Sequence, residues 1–459
     1  MSYGALDGAA EVTRVDTDSQ RTGIPSDRVV VIGGGASGAL IAVRLAARGF
    51  HVTLVEKAAI GNGSSSRSNA GIRAQFGVEE TALGMMYSEW WYTHIHELLQ
   101  TPPDQRQPAI RQNGYLFLYE DPELAAPPWQ PAIRTSAADV WQRALGYFAM
   151  HQRIGLPVEL LEPAEVARRW PWIAPERLIG ATWCPSDGFL HPHVIYGEGV
   201  RRARELGVEV LLHTEVTGAT LRGGRIRNVE TTRGIIEADW FVNATNAWAP
   251  RVSRCIGGMP LPIAPTKRYL YCLHVTRPVM SMETWDRLPM TIYGMGAGRG
   301  MLSRPDGPHL LLAWAHDAPP EPAFSDADQD RVEPAFSHER GVENYGYAAL
   351  AQLEEFAPAL ANAGGLAATT CGYYGVTPDH NPLIGFDTQQ ANLVHAAGFS
   401  GHGIMHAPIT AVLVEALLAG DARDGRVALP DPFAQRSIAL ATFHPARDFA
   451  HSARETQVL

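Results

Sequence analysis

The chain has 459 residues, of which 46% are hydrophobic and 19% are charged, the balance of a globular protein rather than a disordered one. This length exceeds what one simple hydrophobic core serves, so two interlocked domains are expected. The formal net charge of −10 at pH 7 argues against nucleic acid as a partner, because phosphate backbones would be repelled.

The cysteines and the ends of the chain bear on the cellular environment. The four cysteines are scattered with no C-x-x-C pair, which argues against a disulfide framework and favours a cytoplasmic protein. Residues 1–27 contain several acidic residues and no apolar core, so they are predicted to form a flexible leader rather than a signal peptide. The longest uncharged stretch, 356–378, is broken by Pro and Gly, so no membrane span is expected.

The clearest local pattern is a strand–helix–strand unit near the N-terminus. RVVVI at 28–32 predicts a buried strand, and the alanine- and leucine-rich segment 39–48 predicts a helix ending at Gly49. HVTLVE at 51–56 predicts a second buried strand. The remaining predicted elements are helices over 78–99, from a cap at Thr135 or Ser136 to Gln152, over 193–206, 337–356 and 408–419, and strands over 114–120, 208–213, 240–245 and 392–397.

This alternation predicts an α/β fold with two domains. A Rossmann-like nucleotide-binding domain is assembled from the discontinuous segments 28–98, 190–250 and 366–425. Segments 99–189 and 251–365 form an inserted α+β substrate domain, because 262–315 alternates strand-like runs with Pro and Gly breaks, as in an antiparallel sheet. Residues 426–459 are predicted to form a C-terminal tail.

A glycine fingerprint lies between the first strand and the first helix. Gly33, Gly35 and Gly38 have the G-x-G-x-x-G spacing that allows a tight turn, close approach of a pyrophosphate, and close packing of helix on strand. Ala36 and Ser37 lie at the helix start, whose N–H groups favour phosphate. Glu56 ends the second strand, where a carboxylate binds ribose hydroxyls and repels a 2′-phosphate, which leaves NAD and FAD as alternatives.

The segment after the second strand is rich in small hydroxyl residues. Ser64, Ser65, Ser66 and Arg67 are candidate ligands of a pyrophosphate. Composition alone also allows an ordinary polar loop.

Four motifs in order resemble the D-amino-acid oxidase and sarcosine oxidase superfamily. They are the glycine fingerprint with Glu56, GSSSRSNAGIR at 63–73, TPDHNPLIG at 377–385 and GFSGHGIMHAP at 398–408. The resemblance extends from about residue 28 to 420 and is strong for the branch that includes sarcosine oxidase β subunits and proline dehydrogenase β subunits. It implies FAD as cofactor and an antiparallel substrate domain over the flavin.

The same resemblance implies further contacts to FAD. VNATNAWAP at 242–250 is similar to the family's second nucleotide-contacting turn, although Asn246 stands where glycine is usual, and the strand ending at Val216 would lie near the adenine. The glycine turn before the helix at 408–419 would approach the flavin edge, where a helix start supplies positive potential. The other residues predicted to bind FAD are Lys57, Ala70, Gly71, Ala244, Gly372, Gly401, His402, Gly403, Ile404 and Met405.

Three residues are candidates for the chemistry on the substrate. The resemblance implies that Arg73 binds a substrate carboxylate through its fork of N–H groups, with a buried ion pair as the alternative. It implies that Tyr374 lies against the substrate amine, with a core tyrosine as the alternative. His402 is the third candidate, in the glycine turn at the flavin edge.

Two departures from the family concern lysine. Sarcosine-oxidase-like enzymes have a lysine at the place of Met405, where it assists carboxylate binding, and another at the place of Leu311 or Leu312, where it promotes reaction with oxygen. The only lysines of this chain are Lys57 and Lys267. These departures indicate a substrate that depends less on its carboxylate, or an electron acceptor other than oxygen.

A third departure from the family concerns the covalent attachment of FAD. Related enzymes attach FAD through a cysteine at the place of Gly372 or a histidine at the place of Ser68, and here Cys371 is one residue out of step. We therefore expect non-covalent FAD. No metal site is expected, because the pairs His94/His96 and His191/His193 lack an acidic or thiolate partner at ligand spacing.

The sequence therefore predicts an FAD-dependent oxidoreductase that oxidises the CH–NH bond of a secondary amine, N-methyl amino acid or amino acid by hydride transfer to flavin N5. The electron acceptor would be oxygen or a protein or quinone carrier, and a homo- or hetero-oligomer is possible. Two alternatives stay open: an FAD-dependent oxidoreductase of 2-hydroxy acids or polyols, and a flavin-bearing electron-relay subunit of a hetero-oligomeric dehydrogenase.

Overall fold

The computed structural model describes residues 24, 26–125, 136–275, 280–296, 300–314, 345–361 and 365–457. Most of the predicted leader and residues 337–344 of the predicted helix over 337–356 lie outside these ranges. The strands are, in chain order, β1 (Arg28–Ile32), β2 (His51–Val55), β3 (Gly71–Ile72), β4 (Ile110–Arg111), β5 (Tyr115–Glu120), β6 (Glu159–Leu161), β7 (Leu178–Cys184), β8 (Gly188–Leu190), β9 (Glu209–Leu211), β10 (Val216–Leu221), β11 (Ile226–Thr231), β12 (Gly234–Glu237), β13 (Trp240–Asn243), β14 (Ala264–His274), β15 (Met290–Met295), β16 (Met301–Asp306), β17 (His309–Trp314), β18 (Gly365–Val376), β19 (Leu383–Phe386), β20 (Leu393–Ala397), β21 (Arg426–Ala428) and β22 (Ser437–Ala439).

The helices connect these strands. They are α1 (Ala36–Arg48), α2 (Glu79–Thr93), α3 (Ile95–Leu98), α4 (Pro122–Ala125), α5 (Ala137–Ile154), α6 (Pro163–Arg169), α7 (Pro192–Glu205), α8 (Ala249–Cys255), α9 (Met282–Asp286), α10 (Tyr345–Phe356) and α11 (Gly403–Ala419).

A six-stranded sheet forms the nucleotide-binding half, in the order β19-β20-β13-β1-β2-β9. Every neighbouring pair is parallel except β19 and β20. The strands of this sheet come from widely separated parts of the chain, as a Rossmann-like domain built from discontinuous segments requires. The carboxyl ends of β1, β2 and β13 meet at one edge, which is where open α/β sheets bind their ligands.

A second sheet of eight strands has the order β18-β14-β17-β16-β15-β5-β7-β6. Its neighbours are antiparallel except β5 and β15, which are parallel. This pair joins strands from the two inserted segments, so no hairpin connects them and the antiparallel rule does not apply. The predicted α/β architecture with an antiparallel-rich α+β part is confirmed.

Helix α11 is the most buried long element and differs from its predicted start. It begins at Gly403 rather than 408, so Pro408 lies inside it. Proline has no N–H to donate to the carbonyl four residues earlier. The hydroxyl of Tyr92 donates to that carbonyl, on Ile404, and so satisfies it. The helix therefore continues through a residue that normally ends one.

Strand β9 also differs from expectation. The apolar run at 208–213 predicts a strand buried on both faces, but only 209–211 pair with β2, and they are exposed or half-buried. An edge strand has a neighbouring strand on one side only, so an apolar run does not guarantee that both of its faces are buried.

The turn between β1 and α1 gives a test of the packing. A Cβ on Gly38 would lie 1.8 Å from the carbonyl oxygen of Gly33, which is backbone and cannot move aside. We expect Gly38→Ala to lower the thermal midpoint, at a cost of about 1–3 kcal/mol from overpacking. Gly146 is the matched control, because it is exposed inside α5 and a Cβ there would meet nothing within 4 Å.

Gly146→Ala should raise the midpoint slightly, since alanine favours a helix over glycine by about 1 kcal/mol. Differential scanning calorimetry of both variants would measure the two shifts. Equal midpoints for Gly38→Ala and the parent protein would contradict the close packing of α1 on β1.

Candidate active site

A cavity of about 570 Å³ lies at the carboxyl edge of the six-stranded sheet and extends to β18 and the start of α11. A volume of this size is typical of cofactor and ligand sites. The predicted site residues that line it are Gly33, Gly35, Ala36, Ser37, Glu56, Lys57, Ser64, Ser65, Arg67, Val216, Ala244, Asn246, Gly372, Tyr374, Gly401, Gly403 and Ile404. Gly38, Ser66, Ala70, Gly71, Arg73, His402 and Met405 are not among the lining residues.

The glycine turn forms one wall of the cavity. Gly33 has φ of +108°, and a Cβ there would lie 2.7 Å from the carbonyl oxygen of Ala244 at the end of β13. Gly35 leaves the start of α1 open to the cavity, and the N–H of Ala36 donates to Ser65 Oγ at 3.1 Å. The first N–H groups of a helix have no acceptor within it, so this wall offers hydrogen-bond donors to an anion.

Glu56 is held at the cavity by two backbone N–H groups. Its carboxylate accepts from Gly34 at 2.7 Å and from Ala58 at 2.9 Å. Each carboxylate oxygen has a second lone pair for another donor. The fixed negative charge suits a free ribose and repels a 2′-phosphate.

The serine-rich loop links the nucleotide wall to the large sheet. Ser64 Oγ donates to the carbonyl of Tyr373 on β18 at 2.5 Å. Arg67 lines the cavity, whereas Ser66 lines a second cavity of about 280 Å³. Ser68 lines both cavities, so they adjoin at this loop.

Asn246 shows why the family's usual glycine can be replaced. Its φ is +46°, in the left-handed region that asparagine tolerates better than most residues. Its side-chain oxygen accepts from the N–H of Phe399 at 3.2 Å. The substitution therefore keeps the turn and adds a link between β13 and the late glycine turn.

The far end of the cavity is formed by Tyr374 and the start of α11. Gly401 has φ of +96°, and a Cβ there would lie 2.3 Å from the ring of Tyr374, so the ring lies directly on this glycine. Gly403 and Ile404 open α11 beside it, with the positive end of the helix dipole facing the cavity. Burial raises the pKa of Tyr374, so its hydroxyl stays protonated.

His402 lies behind this end rather than in the cavity wall. Its ring packs edge-on against Phe76, at 5.1 Å between centroids, and against His406 at 5.7 Å. Neither ring nitrogen has a hydrogen-bond partner in the part of the chain that the structure describes. Burial, aided by His406, lowers the pKa of His402 well below its usual value, so the ring is neutral at physiological pH. Its catalytic role stays a prediction.

Arg73 is buried, with 3% of its surface exposed, and it faces the protein interior. Its two terminal nitrogens donate to the carbonyls of Gln75 and Gln457, and the guanidinium lies 3.8 Å from the ring centroid of Phe76. The predicted binding of a substrate carboxylate by Arg73 would have to compete with these carbonyls, and it stays a prediction.

The predicted C-terminal tail contributes Gln457, which accepts a hydrogen bond from Arg73, and Glu455, which is buried nearby. The carboxylate of Glu455 accepts from the N–H groups of Gly77 and Val78, where α2 begins. Burial raises the pKa of Glu455, while Arg73 acts in the opposite direction. Glu455 and Gln457 are therefore buried beside Arg73, while Ala453, Arg454 and Thr456 are exposed.

The remaining predicted residues lie close behind the walls. Ala70 has φ of +55°, and its N–H donates to Ser68 Oγ at 2.9 Å. Gly71 contacts Met290, because a Cβ there would lie 2.8 Å from its terminal methyl carbon. Met405 is buried in α11 among apolar neighbours.

Several lining residues were not predicted from the sequence. Trp248 and Arg251 follow Asn246 in the same turn and the start of α8, and Phe399 lies inside the late glycine turn. Their positions next to predicted residues could have indicated that they line the site. Nothing in the sequence around Thr217 and Cys255 indicates a site, because only the approach of β10 to α8 brings them to the cavity.

Two features are absent from the described ranges. No α-helix there combines the length and the apolar character needed to cross a bilayer. In the same residues, no group of three or more His, Cys, Asp and Glu side chains is arranged to hold a metal ion.

The structure combines a mostly parallel sheet, a glycine turn after its first strand, a carboxylate after its second strand and a long cavity that reaches the start of a helix. This combination defines a dinucleotide-dependent α/β enzyme. The family model described as FAD dependent oxidoreductase (DAO) matches residues 28–417. The chain belongs to this family, is an FAD-dependent enzyme, and bears out the resemblance found in its motifs.

The comparisons also identify individual relatives. Glycine oxidase of Geobacillus kaustophilus is 26% identical over 395 residues, which cover 85% of this chain and 92% of that protein. The bifunctional protein ThiO/ThiG of Trichormus variabilis is 26% identical over 387 residues, but the chain spans about half of its length, 52%. The solved structure of L-proline dehydrogenase from P. horikoshii has a TM-score of 0.73 and 28% identity, covering 94% of this chain and 100% of that one.

The surroundings of β18 support non-covalent binding of FAD. A Cβ on Gly372 would lie 2.7 Å from the carbonyl oxygen of Arg67, so a cysteine does not fit there without a backbone shift. Cys371 points to the other face of the strand and is fully buried in the core of the large sheet.

We expect acid precipitation of the purified protein to release all of the FAD into the supernatant, because Gly372 leaves no room for a cysteine and Cys371 is buried in the core of the large sheet. Absorbance of the supernatant and the mass of the intact denatured chain would measure this. Yellow colour in the pellet, with a mass increased by that of the cofactor, would contradict it.

Proposed function

We propose that this enzyme oxidises the CH–NH bond of an amino acid, N-methyl amino acid or secondary amine with FAD as the oxidant. The observation that carries the proposal is the far end of the cavity, where an aromatic ring, glycine backbone and a helix start converge. When bound, FAD supplies the acceptor for a hydride, at N5 of its ring system. The chain's own residues hold the cofactor, orient the substrate and exclude water.

Different walls of the cavity would hold different parts of the cofactor. In this proposal the N–H groups at the start of α1 and Ser65 hold the pyrophosphate, and Glu56 holds the adjacent ribose. Val216 and Ala244 would border the adenosine half. Gly401, Gly403 and Ile404 would border the flavin half, where α11 stabilises the negative charge that reduction creates. Because His402 is neutral, it adds no positive charge there, and the start of α11 provides the stabilisation.

Charge around the cavity favours a substrate that carries a carboxylate. The two acidic residues that line the cavity, Glu56 and Glu215, both lie at the end formed by β2 and β10. The end formed by Tyr374 has no acidic lining residue in the described part of the chain. A polycationic amine would find no counter-charge there, whereas an amino acid presents an anion to it.

Tyr374 can position the amine without taking its proton. It lines the cavity, and burial raises the pKa of its hydroxyl. Protonated hydroxyls can donate a hydrogen bond, and the ring face of Tyr374 can hold an amine at about 0.5–2 kcal/mol. The named relatives support the proposal, since one is a glycine oxidase and another an L-proline dehydrogenase.

The test is reduction of the bound FAD under anaerobic conditions by matched pairs of compounds. Glycine, sarcosine, proline and alanine are compared with glycolate and lactate, the hydroxy analogues of glycine and alanine. We expect bleaching of the flavin band by one or more amino compounds and none by the hydroxy acids. Bleaching by hydroxy acids alone would favour the alternative alcohol chemistry. Bleaching by dithionite but by no member of a broad amine panel would refute the proposal.

The placement of the lysines bears on the electron acceptor. Lys57 lies above the ring of Trp248, at 5.0 Å, at the nucleotide wall. Lys267 alternates with Arg268 along β14, so it faces the core of the large sheet near Tyr373. Met405 and Leu312 are buried apolar residues. We propose that the enzyme is a dehydrogenase with an acceptor other than oxygen.

We expect reduced enzyme to be reoxidised slowly by air-saturated buffer and fast by a quinone or phenazine dye, because no lysine is placed beside the far end of the cavity. Stopped-flow absorbance after mixing photoreduced enzyme with each acceptor gives the two rates. Faster reoxidation by oxygen, with one hydrogen peroxide formed per flavin, would show an oxidase instead.

A further inference from the structure

Arg268 lies on the face of the large sheet that borders the cavity. It is on β14, directly opposite Gly372 of β18, and Thr266 is opposite Tyr374. Side chains alternate along a strand, so Arg268 shares a face with the cavity-lining residues Gly372 and Tyr374. One step further along this face, Leu270 and Thr370 line the second cavity. Arg268 therefore lies on the sheet face between lining residues of the two cavities, although it is not itself a lining residue of either one.

Among the described residues, the guanidinium of Arg268 has no acidic partner. Its Nε is buried and has no hydrogen-bond partner in the residues that the structure describes. None of the ion pairs formed by described residues includes it. Leaving a charged donor buried without an acceptor is costly, and most such groups in proteins have a partner.

The neighbours of Arg268 do not supply an anion. Its guanidinium carbon lies 5.8 Å from the ring centroid of Tyr374, which stays protonated. His380 is also close, and burial together with Arg454 and Arg268 lowers the pKa of that histidine. The nearby carboxylate of Asp379 is already engaged by two nitrogens of Arg447.

Arg73 provides the contrast. Both of its terminal nitrogens donate to protein carbonyls, and Glu455 lies near enough to influence its surroundings. These two bonds use two of the five N–H donors of Arg73 and turn both ends of its guanidinium towards protein carbonyls. Arg268 makes no such bond among the described residues.

We propose that Arg268 is the residue that binds the substrate carboxylate, beside the ring of Tyr374. The proposal rests on the proposed function and deepens it, because it makes an α-carboxylate the group that the site selects. The planar fork of arginine matches a carboxylate with two parallel hydrogen bonds, which lysine cannot reproduce.

The test measures binding rather than turnover. The FAD-loaded protein is titrated with pyrrole-2-carboxylate and with its neutral isostere pyrrole-2-carboxamide, by calorimetry and by perturbation of the flavin spectrum. The variants are Arg268→Met, Arg268→Gln and Arg268→Lys, with Arg143→Gln on the exposed face of α5 as the control arginine. Retained flavin absorbance and circular dichroism show that each variant is folded.

We expect the parent protein and Arg143→Gln to bind the carboxylate more tightly than the carboxamide. Arg268→Met and Arg268→Gln should lose roughly tenfold or more in carboxylate affinity, the value of a charged hydrogen bond, and little in carboxamide affinity. Arg268→Lys should recover only part of the loss. If Arg268→Met does not retain FAD, Arg268→Gln gives the decisive ratio.

Unchanged carboxylate affinity in a folded neutral variant would overturn the proposal. An equal loss for both ligands would also overturn it, because it would show that Arg268 only supports the ring of Tyr374. Failure of this inference leaves the anaerobic reduction by amino compounds intact. Conversely, selective carboxylate binding without any reduction by amines would retain Arg268 as an anion ligand and remove the proposed function.

Discussion

The first strand and the first helix meet at a distance that only glycine permits. A side chain on Gly38 would overlap the carbonyl of Gly33, and one on Gly33 would overlap the carbonyl of Ala244. These two contacts bring β1, α1 and β13 together at one sheet edge. With that edge fixed, Gly35 faces an open cavity, Glu56 is aligned by Gly34, and the serine loop can reach β18.

Two arginines near the far end of the cavity differ in their burial and in their hydrogen bonds. We assign Arg73 a structural role and Arg268 a role in substrate recognition. Arg73 lies against an aromatic ring and donates to two protein carbonyls, so it links separate parts of the chain. Within the described residues, Nε of Arg268 has no hydrogen-bond partner, and the guanidinium lies beside the ring of Tyr374. Residue type and motif position alone do not distinguish these states, because the difference lies in which acceptors the fold brings within reach.

The nucleotide half could be predicted from the sequence because its rules are local. Strand, glycine turn and helix succeed each other within residues 28–48, and each glycine has a steric reason that the spacing already expresses. Other features depended on distant partners. The start of α11 required Tyr92 to satisfy a carbonyl, and β9 was half-exposed because no strand covers its outer side. Arg268 had no motif around it, since its neighbours on β18 are more than a hundred residues away.

The bond between Arg73 and Gln457 has a consequence for how the protein is made. The two residues are 384 positions apart, and ribosomes add about 5–20 residues per second. Arg73 therefore emerges roughly 20–80 s before its acceptor exists. During synthesis the nascent segment around residues 73–78 lacks both the carbonyl that holds the guanidinium and the carboxylate that caps α2. This region is completed only after residues 455–457 have been synthesised and have reached the segment that contains Arg73.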